Sequence, residues 1–212
     1  MSDGRELLPP ESFREILERE LPRWKLTAPG DAVARLAAFL TELDRWRGRI
    51  NLTGRLSAAE LVAHTLESVL GERFLPAGAR VVDIGTGGGF PGVPLAIWRP
   101  DLAMTWLEPR EKRAGFLRHV ARMIPVENAR VLRARLEDLP DESFDCATSR
   151  AVRIDGGLVR NLPFLAQGGA LVLWTTEPER LGPELASAGF RYEGGLAIPG
   201  SRERAIGLFR KM

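Results

Sequence analysis

The sequence predicts an α/β protein: a doubly wound, mostly parallel seven-stranded sheet with an N-terminal helical extension and a C-terminal β-hairpin. Three observations carry this expectation. From residue 79 onward, short β-rich runs alternate with segments of helical period, the pattern of right-handed crossovers between parallel strands. Residues 1–75 show only helical spacing. The last two strand-like runs have no helix between them, so they pair as a hairpin and bring one antiparallel strand into the sheet.

In the extension, Ser12-Phe13-Arg14-Glu15 reads as a capping box that opens a first helix with Phe13, Ile16, Leu17 and Leu21 as its apolar stripe. Asp31 is placed to cap a second helix carrying Val33, Leu36, Leu40 and Leu43. Ser57-Ala58-Ala59-Glu60 repeats the capping box before Leu61, Leu66 and Val69. Strands are then expected at 80–84, 103–108, 130–134, 144–149 and 169–174, and helices at 91–98, 111–124, 155–165 and 178–188. The hairpin strands fall near 190–198 and 204–210. These elements divide the chain into a helical extension, 1–75, and a sheet domain, 76–212.

With 212 residues, 44% of them hydrophobic and 27% charged, the chain has the length and composition of one well-buried domain plus an appendage. No apolar run reaches the roughly 18 residues of a spanning helix, and the N-terminus lacks a signal core, so the expectation is a cytoplasmic protein without membrane contact; a monomer is expected separately. The single cysteine, Cys146, excludes an internal disulfide framework. With His64 and His119 the only histidines, no metal site is expected.

The net charge is only +2, but it is unevenly spread. Arg45, Arg47, Arg49 and Arg55 crowd one stretch without an acid. Residues 110–135 hold Arg110, Lys112, Arg113, Arg118, Arg122, Arg130, Arg133 and Arg135 against Glu111 and Glu127. Such clusters suit a phosphate backbone, or else form a solvated face.

The chemistry is concentrated after the first strand, where Val81-Val82-Asp83-Ile84 runs into Gly85-Thr86-Gly87-Gly88-Gly89-Phe90. Glycine removes the Cβ that would hold a ligand away from the backbone. A dinucleotide fingerprint would need a third glycine at position 90, which is Phe90. The arrangement Asp83-x-Gly85-x-Gly87-x-Gly89 instead resembles the first motif of the S-adenosylmethionine (SAM) methyltransferases. Glu108 then ends the second strand, where that class binds the ribose hydroxyls. Leu136 and Glu137 follow the third strand, near the adenine. All three positions lie on the strand edge where open parallel sheets bind ligands. Asp83 organises either the loop or the cofactor's ammonium.

The fourth strand narrows the methyl acceptor. Phe144-Asp145-Cys146-Ala147-Thr148-Ser149-Arg150 lacks the Asp/Asn-Pro-Pro-aromatic motif of exocyclic-amine methyltransferases, and Cys146 sits inside the strand, where a core role outweighs nucleophilic catalysis. Arg150 follows the last β residue and is expected to face the cofactor cleft, with an ion pair closing the sheet edge as its competing reading.

The chain resembles the RsmG (GidB) family, which methylates N7 of a guanine in bacterial 16S ribosomal RNA. The residues that carry the resemblance are Trp46, Asn51-Leu52-Thr53, His64 with Ser68, the loop from Asp83 through Pro94, Arg99-Pro100, Lys112-Arg113 with Phe116-Leu117, Ser149-Arg150-Ala151 and Arg204. The resemblance implies a class I, Rossmann-like methyltransferase fold and SAM contacts at Gly85, Phe90, Glu108, Pro109, Arg110, Leu136 and Glu137. It places Arg150 at the transfer site, where it positions the base, binds phosphate or shapes the SAM end of the pocket. It also implies a partner in 16S rRNA, the small ribosomal subunit or an assembly intermediate. The chain departs from the family pattern twice: Glu67 stands where an Asp is usual, and Trp174-Thr175-Thr176-Glu177 replaces a usual Lys-Gly.

Guanine N7 carries an in-plane lone pair and no proton, so no general base is expected. Two other readings stand beside this one. A small-molecule methyltransferase would use the helices as a lid and act without RNA. A non-catalytic SAM-binding ribosome-assembly factor would keep the pocket and lack transfer.

Overall fold

The computed structural model describes residues 8–139, 142–150, 162–201 and 203–212. It contains helices α1 (Pro10–Glu20), α2 (Ala32–Arg47) and α3 (Ala58–Leu70), then strand β1 (Arg80–Ile84), α4 (Gly92–Trp98), β2 (Ala103–Leu107), α5 (Glu111–Met123) and β3 (Ala129–Leu132). Strands β4 (Phe144–Arg150), β5 (Leu165–Thr176), β6 (Phe190–Ala197) and β7 (Arg204–Lys211) complete the sheet. The expected helix at 155–165 falls largely outside the described residues.

The sheet runs β3-β2-β1-β4-β5-β7-β6, parallel except for β7, which is antiparallel to both β5 and β6. Strand order reverses between β1 and β4, and the crevice at their C-terminal ends is the usual ligand position in such sheets. Register aligns Asp83 with Trp106 on one side and Thr148 on the other. Side chains alternate between the two faces. Val82, Ile84, Ala147, Leu171 and Leu173 enter one core with Phe144, Phe190 and Phe209. Val81, Cys146, Val172 and Trp174 enter the other, which they share with Phe13, Leu36, Phe39 and Leu66 of the helices. Asp83 follows the parity of Val81 and so points toward the helical side.

Several local expectations need correction. Helix α1 begins at Pro10 rather than after Ser12, and its N-cap, Pro9, makes no side-chain bond. Proline is preorganised for a first turn, so the start moved upstream of the hydroxyl. Asp31 flanks α2 but does not cap it; its carboxylate accepts from Arg35 Nε at 2.8 Å. The capping box at Ser57 and Glu60 forms in both directions. Residues 48–57 are not helical but form a strap between α2 and α3. The expected helix at 178–188 is a 3-10 turn, Pro178–Leu181, followed by a short helix, Gly182–Ala186. Arg99 has a structural role: it bonds Asp101, Glu72 and the Leu75 carbonyl, tying the end of α4 to the chain that enters β1.

Candidate active site

A cavity of about 440 Å³ opens at the switch point, lined on the glycine loop by Gly85, Thr86, Gly87, Gly88 and Phe90. Beyond β2 it meets Glu108, Pro109 and Arg110, and Arg150 closes the far end. A second cavity, about 520 Å³, adjoins it through Gly85, Pro109 and Arg110 and is lined by Leu136 and Glu137. The sequence-predicted residues thus occupy one continuous crevice, with two exceptions.

The exceptions are Asp83, which lies beneath the loop, and Gly89 within it; neither lines either cavity. Asp83 is fully buried; Oδ1 accepts from Thr148 Oγ1 at 2.8 Å and Oδ2 from the Gly92 amide at 3.1 Å. Of its two expected roles, this geometry performs loop organisation: the carboxylate ties β1 to β4 and to the start of α4. Burial outweighs these donors and pushes its pKa up to about 6. Gly92 is bare because a Cβ there would come within 2.6 Å of Asp83 Oδ2 and 2.8 Å of the Trp106 ring. Gly89, at φ 104°, faces Phe39 in the same way.

Glu108 is buried at the end of β2. Its Oε2 accepts from the Gly87 amide at 3.0 Å and its Oε1 from the Arg110 amide at 2.9 Å. Each carboxylate oxygen keeps a further acceptor site. Glu108 is also one of the residues that line the cavity.

Arg150 lies at the junction of β4, α3 and β7. Its Nη2 donates to Glu67 Oε2 at 2.7 Å and Nη1 to the His64 carbonyl at 3.2 Å, while its guanidinium lies 6.0 Å from the centre of the Phe90 ring. Glu67 is buried and bridges to Arg204 Nη1 at 2.5 Å through its other oxygen. Arg150 thus makes an ion pair at the sheet edge and also lines the cavity. Glu67, the residue in place of the usual Asp, is the carboxylate between the two arginines. Trp174, at the second departure, donates its indole N–H to the Glu67 carbonyl at 2.8 Å.

Sequence reasoning gave no site role to Thr53 or His64, and it placed Arg113 with the phosphate-binding cluster rather than at the cofactor crevice. All three line the cavity. For Thr53 and His64 the signal was their presence in the motifs carrying the resemblance. His64 meets the Phe90 ring edge-on, with centroids 6.0 Å apart. Burial, with the charges of Arg150 and Arg204, pulls its pKa down to about 4, so its imidazole is neutral near pH 7. Cys146 is buried in β4 and its thiol is pushed up to about 11 by burial, which leaves no thiolate for covalent catalysis.

A family model described as rRNA small subunit methyltransferase G (GidB) matches residues 32–175. The chain belongs to that family. The small subunit methyltransferase G of Halorhodospira halophila (strain DSM 244 / SL1) is 37% identical over 175 residues, covering 82% of each chain. That of Sorangium cellulosum (strain So ce56) is 37% identical over 192 residues, covering 86% of this chain and 77% of its own. Solved structures agree on the fold. A SAM-dependent methyltransferase from Aquifex aeolicus matches with TM-score 0.56 at 20% identity, over 68% of this chain and 87% of its own. Mitomycin 7-O-methyltransferase MmcR matches with TM-score 0.62 at 16% identity, over 91% and 75%. The cyclase SpnF matches with TM-score 0.61 at 17% identity, over 87% and 97%. A fold shared with a cyclase does not fix the reaction, so the family membership and the site must carry the function.

Proposed function

We propose that this chain uses SAM to methylate N7 of a guanine in 16S rRNA, on the small ribosomal subunit or an assembly intermediate in the cytoplasm, with Gly85, Gly87, Phe90, Glu108, Pro109, Arg110, Leu136 and Glu137 along the cofactor and Arg150 at the transfer end. One observation carries the reading: the glycine loop, the Glu108 carboxylate and Arg150, held from behind by Glu67, line one crevice at the sheet's switch point. The residues present fit the cofactor, since bare backbone faces a cavity of suitable size with a carboxylate at the ribose position. When bound, SAM supplies an electrophilic methyl on a sulfonium.

The chain's own contribution is positioning. The N7 lone pair forms the new N–C bond as the S–C bond breaks; its electron pair stays on sulfur and no proton leaves. Aligning the reacting atoms at about 3 to 3.5 Å can supply several kcal/mol through orientation alone. The purine becomes cationic, so an unscreened arginine beside it would oppose the reaction. Glu67, shared with Arg204, partly screens Arg150, and His64 is neutral, which limits the positive charge at the acceptor end.

The basic residues separate into two groups. Arg130, Arg133 and Arg135 pair with Glu142, Glu111 and Glu137, and Arg45 and Arg47 with Glu42 and Asp44. Arg49, Lys112, Arg118 and Arg122 are exposed. Arg49 and Lys112 line a groove of about 560 Å³ that meets the cofactor cavity at Arg110 and Arg113. That groove suits an RNA backbone approaching the transfer end.

Single-turnover transfer from labelled SAM to small-subunit RNA, read by nucleoside mass spectrometry, tests the proposal. The expected product is 7-methylguanosine at one position. Arg150→Ala should lower the rate at least about 100-fold, the scale of lost positioning, with Arg150→Lys recovering little because lysine lacks the planar fork. Methylation of small molecules without RNA, or no transfer to RNA despite SAM binding, would replace it with one of the two other readings.

A further inference from the structure

We propose that Thr53 and Arg113 form a binding site for the α-carboxylate of the cofactor's amino-acid end, an inference that rests on the crevice being a SAM site. Thr53 Oγ1 is buried and has no hydrogen-bond partner among the described residues, although Thr53 lines the cavity. Buried hydroxyls are normally satisfied, so an orphan on a residue at the cavity wall is a candidate donor to a ligand that a small turn of the side chain would bring into reach.

Arg113 supplies the charge. Its Nε and Nη2 both donate to the Asn51 carbonyl, at 3.2 and 3.0 Å, fastening the strap of residues 48–57 to α5. The remaining terminal nitrogen, Nη1, reaches the glycine loop, 3.7 Å from where a Cβ on Gly87 would lie. The strap rests directly on the next glycine: a Cβ on Gly88 would meet the Leu52 carbonyl at 2.9 Å and Thr53 Cγ2 at 3.3 Å. Thr53 and Arg113 are therefore fixed side by side over Gly87 and Gly88, the stretch of bare backbone that the amino-acid end of SAM would cover.

The charges divide accordingly. SAM carries a sulfonium, an ammonium and a carboxylate. Glu108 is the acidic group lining the cavity, and it faces the ribose position. Arg150 is engaged by Glu67 at the acceptor end. Arg110 adjoins the side shared with Leu136 and Glu137. Arg113 is left as the cation beside the glycine loop, and a guanidinium with a hydroxyl is a suitable pair of donors for a carboxylate. This assignment takes Arg113 out of the phosphate-binding cluster in which its place in the sequence put it.

The test compares SAM with decarboxylated SAM, which keeps the adenosine, sulfonium and ammonium, by calorimetry on the full-length protein. The wild type should bind SAM more tightly. Thr53→Val, which keeps side-chain shape, and Arg113→Gln should each weaken SAM about tenfold or more, the usual scale of a charge-assisted bond, while leaving decarboxylated SAM within about twofold. Equal weakening of both compounds would mean that the residues only hold the strap, and would overturn the proposal. Unchanged SAM affinity with a shallower salt dependence of RNA binding in Arg113→Gln would overturn it in favour of an RNA phosphate. If the wild type binds neither compound, the SAM reading itself fails.

Discussion

Asp83 shows what a single residue's surroundings decide. The sequence marks it as an acid beside a glycine loop; the structure puts it under the loop, between Thr148 and the Gly92 amide. Its folded pKa of about 6 lies above the ordinary 3.8, so the folded protein holds this proton more tightly than the unfolded chain does. The linked stabilisation is complete below about pH 3.8 and is lost as pH rises through about 6. Between pH 8 and 5 it amounts to about 1.4 kcal/mol. Asp83→Asn retains an acceptor for Gly92 but does not titrate. Its thermal stability should therefore gain less than that of the wild type when pH is lowered over this range. Parallel pH profiles for the two proteins would show that Asp83 titrates normally. Glu67 is the other case at this scale. The sequence showed it only as a departure from a pattern, yet its carboxylate holds Arg150 and Arg204 together.

The strap between α2 and α3 is the element least visible in the sequence. Residues 48–57 follow a strongly periodic helix and precede a good capping box, so local signals define its ends but not its course. Long-range contacts fix that course: Arg47 Nη1 donates to the Leu56 carbonyl at 2.5 Å, Arg113 holds Asn51, and Gly88 admits Leu52. Gly88→Ala should displace the strap, lowering SAM affinity about tenfold and stability by about 1 to 3 kcal/mol through overpacking. Gly115→Ala provides the contrast, because a Cβ there meets nothing within 4 Å and the position is helical. It should be neutral or stabilising by up to about 1 kcal/mol. Calorimetry and thermal denaturation of the pair would separate the effect; equal outcomes for both would show that the strap does not depend on Gly88.

Across the whole molecule, the N-terminal helices and one face of the sheet share a hydrophobic core. Phe39 of α2 packs edge-on against Phe90 of the glycine loop, with centroids 5.5 Å apart, and Trp46 lies 5.8 Å from Phe116 of α5. We propose that the two segments read from the sequence, 1–75 and 76–212, fold as one cooperative unit. Trp24 and Trp46 report from the first, and Trp98, Trp106 and Trp174 from the second. Denaturant unfolding should then give one transition, with tryptophan fluorescence and far-UV circular dichroism coincident. Two separated transitions would instead make the helices an independent appendage.

The sequence by itself determined the alternation of strands and helices, the hairpin at the end and the edge of the sheet where the crevice lies. These follow from period, glycine placement and chain order, which are local or topological properties. It also marked Gly85, Glu108 and Arg150, because each sits at a strand end, where the fold alone sets position. Only the tertiary structure decided that Asp83 braces the loop from below, that Arg113 fastens the strap at Asn51, and that Glu67 joins two arginines from β4 and β7. In each case the partner is distant along the chain, and a side chain's charge or hydroxyl gains its role from burial and neighbours that no local spacing encodes.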